Sequence, residues 1–226
     1  MRTPSSRHLT PSTALSLAIS LVLVSAPFAV AAPQETPPSE SPPTEKVVVE
    51  IVTENGSGCP RGTTTVNVEH DNTAFSLGFG DYRASAGAGS KPTDFRKSCQ
   101  LVLAIHTPTG FTYAIPAVTY TGFAHLEKGA SAQIRGTHYV AGMAEIQVVT
   151  HPFAGPFDDY WAVTDTDTSS YLPWMPCGEL HYLNVNTELR VIAGTSDTAT
   201  TSSYITRDAL ENQGSATYRL SWKRCP

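Results

Sequence analysis

The sequence predicts an all-β domain built as an antiparallel two-sheet β-sandwich, with a β-barrel as the alternative. Short segments rich in β-branched and aromatic residues recur along the chain, and clusters of Gly, Pro, Asn and Asp separate them. No window has the periodicity of a long amphipathic helix. Four cysteines follow a secretory leader, which is typical of extracellular domains held together by disulfides.

Eight segments are predicted strands, and they comprise residues 46–52, 63–68, 99–105, 113–120, 146–149, 179–185, 189–193 and 216–222. The last segment is the clearest, because Tyr218, Leu220 and Trp222 occupy every second position. A period of two places these bulky side chains on one buried face and Arg219, Ser221 and Lys223 on the other. Residues 91–98 are predicted to form a single helical turn.

Residues 1–31 are predicted to be a signal peptide. Arg2 and Arg7 precede an apolar run over residues 14–24, which is too short to span a bilayer as a helix. The A-x-A pattern ending at Ala31 predicts cleavage after that residue. Residues 32–45 form a Pro/Ser/Glu-rich flexible linker, and residues 46–226 form the secreted β-sandwich domain. The expected location is extracellular, with the cell wall as one destination.

Charge and hydropathy exclude several classes of partner. The chain has 15 Lys and Arg against 20 Asp and Glu, and its formal net charge is −5. A mildly acidic protein is a poor ligand for nucleic acid or an anionic membrane. No later segment is apolar enough for a membrane span, and no cofactor motif occurs, so no cofactor is expected. The length of the domain suits one core and a monomer.

The four cysteines allow three disulfide pairings. We favour Cys59–Cys99 and Cys177–Cys225, because the first pair joins two strand ends and the second fixes the carboxyl terminus. Loops of this length would each stabilise the fold by about 4 kcal/mol through chain entropy. A zinc site is the rival interpretation, but the chain has no Cys-x-x-Cys spacing and no paired histidines.

Six short motifs together resemble a family of small secreted proteins from fungi and some bacteria, catalogued as domain of unknown function 4360. The motifs are GSGCP (56–60), PTDFRKSCQL (92–101), GPFDDY (155–160), PCG (176–178), NVNTELR (184–190) and LSWKRC (220–225). The resemblance covers about residues 46–225. It implies a secreted, cysteine-bridged β domain, and it implies no activity.

The most suggestive functional region lies between residues 158 and 174. It combines aromatic rings with carboxylates, in the residues Asp158, Asp159, Tyr160, Trp161, Tyr171 and Trp174. Aromatic rings stack on the apolar faces of sugars and carboxylates accept hydrogen bonds from their hydroxyls, so this pattern predicts a polysaccharide-binding surface. The alternative is a polar loop whose rings cover the core.

Two other chemistries fit the same acidic residues less well. Asp165 and Asp167 form a weak calcium candidate, because carboxylate oxygens suit Ca²⁺. A hydrolase using Asp158 or Asp159 requires two carboxyl groups that face each other across a cleft. Neighbouring residues on a strand point to opposite faces, which disfavours that pair. No nucleophile motif and no H-E-x-x-H sequence occurs.

The sequence therefore favours a non-catalytic secreted or wall-associated binding module, with a glycan as the expected class of ligand. The alternatives are a secreted hydrolase and a structural coat or effector protein. Asn55 begins an N-x-S sequon, which predicts either an N-glycan in a eukaryote or a turn formed by Asn-Gly.

Overall fold

The computed structural model describes residues 40–144, 146–166, 173–207 and 215–226, and these form two antiparallel β-sheets. The strands are β1 Val48–Asn55, β2 Thr64–Val68, β3 Ala74–Phe79, β4 Arg83–Gly87, β5 Arg96–His106, β6 Phe111–Leu126, β7 Ser131–Val140, β8 Ile146–Ala154, β9 Phe157–Thr166, β10 His181–Ile192, β11 Ser202–Thr206 and β12 Ser215–Arg224. Both sheets are open, so the fold is a sandwich and the β-barrel alternative is wrong.

The five-stranded sheet has the order β1-β5-β10-β7-β8. The seven-stranded sheet has the order β2-β3-β12-β6-β11-β4, and β9 pairs with β6. The long strand β6 is the centre of the second sheet. Its first part pairs with β12, and residues near its end pair with β11 on one side and β9 on the other.

The core consists of the inward-facing side chains of both sheets. Tyr218 and Trp222 on β12 are fully buried and Leu220 is buried, as the alternation predicts, and Arg219 is exposed. From the other sheet, Leu183 and Leu189 on β10 supply apolar side chains to the same core. Burial of each such side chain contributes about 2 kcal/mol, and this burial holds the two sheets together.

The structure differs from the predicted strands at several places. Strand β10 runs through the two segments predicted at 179–185 and 189–193, because Asn186 and Glu188 point outward in regular alternation rather than forming a turn. Residues 92–95 form a turn, and β5 begins at Arg96 where the helical turn was expected to continue. Five strands were missed, namely β3, β4, β7, β9 and β11.

Both disulfides join the cysteines that the sequence analysis paired. Cys59–Cys99 ties the segment after β1 to β5, and Cys177–Cys225 ties the segment before β10 to the end of β12. Their sequence separations are 40 and 48 residues. No described cysteine is free.

Residues 40–45 of the predicted linker lie against the domain. The Glu40 amide donates a hydrogen bond to the Trp222 carbonyl at 2.8 Å, and Pro43 is buried. The buried Asn72 side chain accepts from the Val47 amide and donates to the Pro43 and Glu45 carbonyls. This segment is therefore fixed onto the seven-stranded sheet before β1 begins.

Across the described ranges, no helix has the length and apolar character needed to cross a membrane.

Candidate functional site

The predicted functional residues 158–161 lie on β9, where the backbone separates them onto two faces. Asp158 and Tyr160 point outward, and Trp161 points into the sandwich. The outward face of the seven-stranded sheet is therefore the surface on which the aromatic and acidic side chains of β9 meet solvent.

The burial of Trp161 corrects its assignment as a sugar-stacking ring. Its side chain is 5% exposed and packs against Phe153, with 5.3 Å between ring centroids. The indole also closes on Gly122 of β6, where an added Cβ would lie 2.5 Å from the Trp161 ring. Trp161 offers no open ring face, because it belongs to the core.

Tyr160 is still a candidate for sugar stacking, and it lies beside aromatic residues that were not predicted as site residues. The register aligns Tyr160 with Phe123 on β6 and Asp158 with His125, while Tyr204 on β11 pairs with His125 from the other side. Since residues paired across strands share a face, these side chains form a continuous outer surface. We call the rings of Phe123, His125, Tyr160 and Tyr204 the aromatic platform.

The rings of the aromatic platform contact one another. Phe123 meets Tyr160 edge-to-face at 5.1 Å between centroids, and it lies 6.1 Å from Tyr204. The His125 ring stacks near Tyr204 at 5.7 Å. The guanidinium of Arg83 on β4 covers the Tyr204 ring, with its Cζ 3.7 Å from the centroid. Edge-to-face and cation-π contacts of this kind fix the ring orientations before any ligand arrives.

Two carboxylates bracket His125 at one edge of the aromatic platform. Asp158 Oδ1 lies 2.9 Å from His125 Nδ1, and Glu127 Oε1 lies 3.4 Å from Nε2. The hydrogen bond to Asp158 is the largest cause that raises the pKa of the His125 imidazole; burial opposes it, and the hydrogen bond to Glu127 raises the pKa further. Arg83 stands at the opposite edge, so the platform has an acidic and a basic side.

The other residues of the predicted site are dispersed. Asp159 is exposed, and its Oδ1 accepts a hydrogen bond from the Tyr160 amide. Trp174 is half-buried, and Lys223 Nζ covers one face of its ring at 4.6 Å. Tyr171 lies outside the described residues. Asp158 and Asp159 follow one another on β9 and so face opposite sides of the sheet, an arrangement that gives no facing carboxyl pair.

The calcium candidate is not assembled by the described part of the chain. Asp165 is buried, and its Oδ1 lies 2.7 Å from His151 Nε2. Asp167 lies outside the described residues. No group of three or more His, Cys, Asp or Glu side chains that could hold a metal occurs among the residues searched.

Two other surface features lie on the five-stranded sheet. Asn55, the predicted glycosylation site, is exposed at the end of β1. A depression of about 400 Å³ borders the same strand and is lined by Ile51, Val52, Thr53, Glu54, Arg61 and Gly62. The Glu54 carboxylate accepts hydrogen bonds from the Gly62 and Thr64 amides, so both of its oxygens stabilise the loop that follows β1.

The fold and the two bridges define a class: a disulfide-linked, all-β sandwich protein. The chain belongs to the DUF4360 family, described as a domain of unknown function, which matches residues 45–225. This assignment agrees with the resemblance carried by the six motifs.

A curated relative from Arthroderma benhamiae is described as an uncharacterized secreted protein. It is 29% identical over 180 residues, which cover 80% of this chain and 72% of the relative. A solved structure of TmCBM61 in complex with beta-1,4-galactotriose is 10% identical, with coverage of 86% of this chain and 100% of that chain, and a TM-score of 0.26. That TM-score is too low to establish a shared fold. The relative and the disulfides together place the protein outside the cell.

Four residues of this surface were not predicted as site residues from the sequence, namely Arg83, Phe123, His125 and Tyr204. These residues lie on three strands that are distant in the chain, and only the register brings them beside Tyr160. Alternation within β6 was the one available signal, because Phe123 and His125 alternate with the buried residues Ala124 and Leu126.

Proposed function

We propose that the protein is a non-catalytic secreted module that binds an extracellular glycan on the aromatic platform. The observation that carries this proposal is the exposure of Tyr160. Its side chain is 47% exposed and is supported edge-to-face by Phe123. An open, oriented ring next to hydrogen-bonding groups is what stacking on a sugar requires.

The polar groups around the aromatic platform suit sugar hydroxyls. Asp158 is 69% exposed and accepts hydrogen bonds, whereas the guanidinium of Arg83 donates them. The platform runs across β4, β11, β6 and β9, a width of roughly 14 Å at the usual strand spacing. That width is longer than one sugar ring, so the proposed ligand is an oligosaccharide or polysaccharide.

The hydrolase alternative has less support. The Asp158 carboxylate is hydrogen-bonded to His125, and the Asp159 carboxylate accepts a hydrogen bond from the Tyr160 amide of the same strand. A flat sheet surface also gives little enclosure of a scissile bond, and glycoside hydrolysis requires two carboxyl groups on either side of that bond. A structural or coat protein would need no oriented exposed rings.

A glycan array with the secreted protein tests the proposal. Wild type should retain at least one glycan, and Tyr160→Ala should weaken that binding about tenfold, because one stacked ring contributes about 1.4 kcal/mol. Tyr182→Ala is the matched control, since Tyr182 is 40% exposed on the other sheet and should leave binding unchanged.

Three outcomes of this array oppose the proposal. Wild type retains no glycan, Tyr182→Ala loses as much binding as Tyr160→Ala, or wild type cleaves a bound polysaccharide and Asp158→Asn does not. The last outcome would replace the binding module with the hydrolase.

A further inference from the structure

A cation that has no ion-pair partner in the described part of the chain lies in the core. Arg207 directly follows β11 and is fully buried. Its guanidinium carbon lies 4.7 Å from the ring centroid of Phe79 and 5.0 Å from that of Tyr120, with Tyr82 at 5.8 Å. Aromatic rings stabilise a cation partly, but they neither neutralise its charge nor accept its hydrogen bonds fully.

The hydrogen bonds of Arg207 do not satisfy its guanidinium. Nη2 donates to the Ser215 carbonyl over 3.4 Å, and Nε and Nη1 have no hydrogen-bond partner. Within residues 40–144, 146–166, 173–207 and 215–226, no carboxylate forms an ion pair with Arg207. An arginine carries donors and no acceptor, so each unpaired N–H requires an acceptor from elsewhere.

The three tyrosines of the cluster do not supply the missing negative charge, and the buried Asp165 carboxylate is paired with His151 rather than with Arg207. Burial raises the pKa of Tyr82 to about 12, and burial also raises the pKa of Tyr120 and Tyr218, so their hydroxyls stay protonated. The Tyr82 hydroxyl is hydrogen-bonded to Thr187, and the Tyr120 hydroxyl to His138. The Tyr218 hydroxyl is buried and has no hydrogen-bond partner. Among the described residues, Arg207 Nε, Arg207 Nη1 and the Tyr218 hydroxyl are therefore buried donors without an acceptor, and no carboxylate forms an ion pair with the guanidinium.

We infer that Arg207 and Tyr218 form an internal binding site for a small monovalent anion of the halide class. Such an ion accepts hydrogen bonds without donating any, and it neutralises the guanidinium, which a water molecule does not. A small ion requires the least space in a close-packed core, which favours a halide over a larger oxyanion. This anion site lies inside the sandwich and is independent of glycan binding on the outer surface.

Thermal unfolding in two salts tests the anion site. The secreted protein is heated in sodium chloride and in sodium gluconate at equal ionic strength. A ligand that binds only the folded state raises the folding constant about a hundredfold at a hundred times its dissociation constant. The melting temperature of wild type should therefore rise with chloride concentration and stay lower in gluconate.

Two variants separate specific binding from general salt effects. Arg207→Met keeps an unbranched side chain in the core and removes the charge, so it should lose the difference between chloride and gluconate. Arg219→Met is the matched control at an exposed position of β12 and should keep the difference. Bromide soaked into crystals should give an anomalous peak beside the Arg207 guanidinium.

Equal melting temperatures of wild type in the two salts would overturn the inference, and so would an unchanged salt difference in Arg207→Met. Bromide peaks that appear only at other positions would also overturn the inference, because they would show an adventitious ion only. If Asp208→Asn or Glu211→Gln destabilises the protein while the salts act equally, the chain itself supplies the counter-charge and the anion site is wrong.

Discussion

Tyr160 and Trp161 show how one residue step decides a role. They are adjacent on β9, yet Tyr160 is exposed on the outer face and Trp161 is buried against Phe153. The step of one residue along a strand reverses the direction of the side chain. The more hydrophobic of the two rings therefore stabilises the sandwich, and the ring with a hydroxyl meets solvent.

The His125 site predicts a specific response to pH. Since Asp158 and Glu127 raise the pKa of His125 above 6.5, the protonated imidazole is favoured in the folded protein. A raised folded pKa gives a stabilising contribution that is fully present below pH 6.5. That contribution is lost as the pH rises through the folded pKa.

We expect Asp158→Asn to lower the pKa of His125 towards its ordinary value, because the hydrogen bond to Asp158 is the largest cause of the shift. NMR titration of the imidazole C–H signals measures this directly. Glu127→Gln is the comparison and should lower the pKa less, since its contact is longer at 3.4 Å. A pKa of His125 that is unchanged in Asp158→Asn would contradict the assigned contact.

At the scale of elements, the buried Asn72 side chain makes three of the hydrogen bonds that hold the segment before β1. Asn72 lies in the left-handed region with φ 56°, and its amide forms hydrogen bonds to Val47, Pro43 and Glu45. Its carbonyl accepts a further bond from the Trp222 indole at 2.8 Å. Asparagine tolerates this backbone conformation better than most residues do, and its amide replaces a missing strand partner.

Asn72→Ala should destabilise the domain by about 3 kcal/mol, because it leaves buried backbone groups unpaired and places Ala at positive φ. Urea unfolding of the variant measures the loss. Asn67→Ala on the exposed side of β2 is the control and should change stability by less than about 0.5 kcal/mol. Equal stability of the two variants would show that Asn72 does not hold the segment.

Two of the strands that the sequence did not predict have weak local signals. β9 carries Asp158, Asp159 and Asp165, a residue type that is depleted in strands, and β11 has only five residues. Each strand forms because it pairs with β6 and adds apolar side chains to the inner face of the sheet. By contrast β12 was predictable, since its own alternation is regular.

At the scale of the whole molecule, the sequence predicts the sandwich fold more clearly than it predicts the aromatic platform. The cysteine positions were sufficient to favour both bridges. Cys59–Cys99 joins the segment after β1 to β5, the strand that pairs with β1 in one sheet, and Cys177–Cys225 joins the segment before β10 of that sheet to the end of β12 of the other. The aromatic platform was not predictable in the same way. It depends on β4, β11, β6 and β9 lying side by side, an order that local patterns do not contain.

The most direct measurement of glycan binding is a map of amide chemical shifts in the isotope-labelled protein as a glycan retained on the array is added. The proposed function predicts that the largest changes fall at Phe123, His125, Tyr160 and Tyr204. Changes centred on Tyr182 and Asn184 of the other sheet, or no change with any glycan of the array, would contradict it.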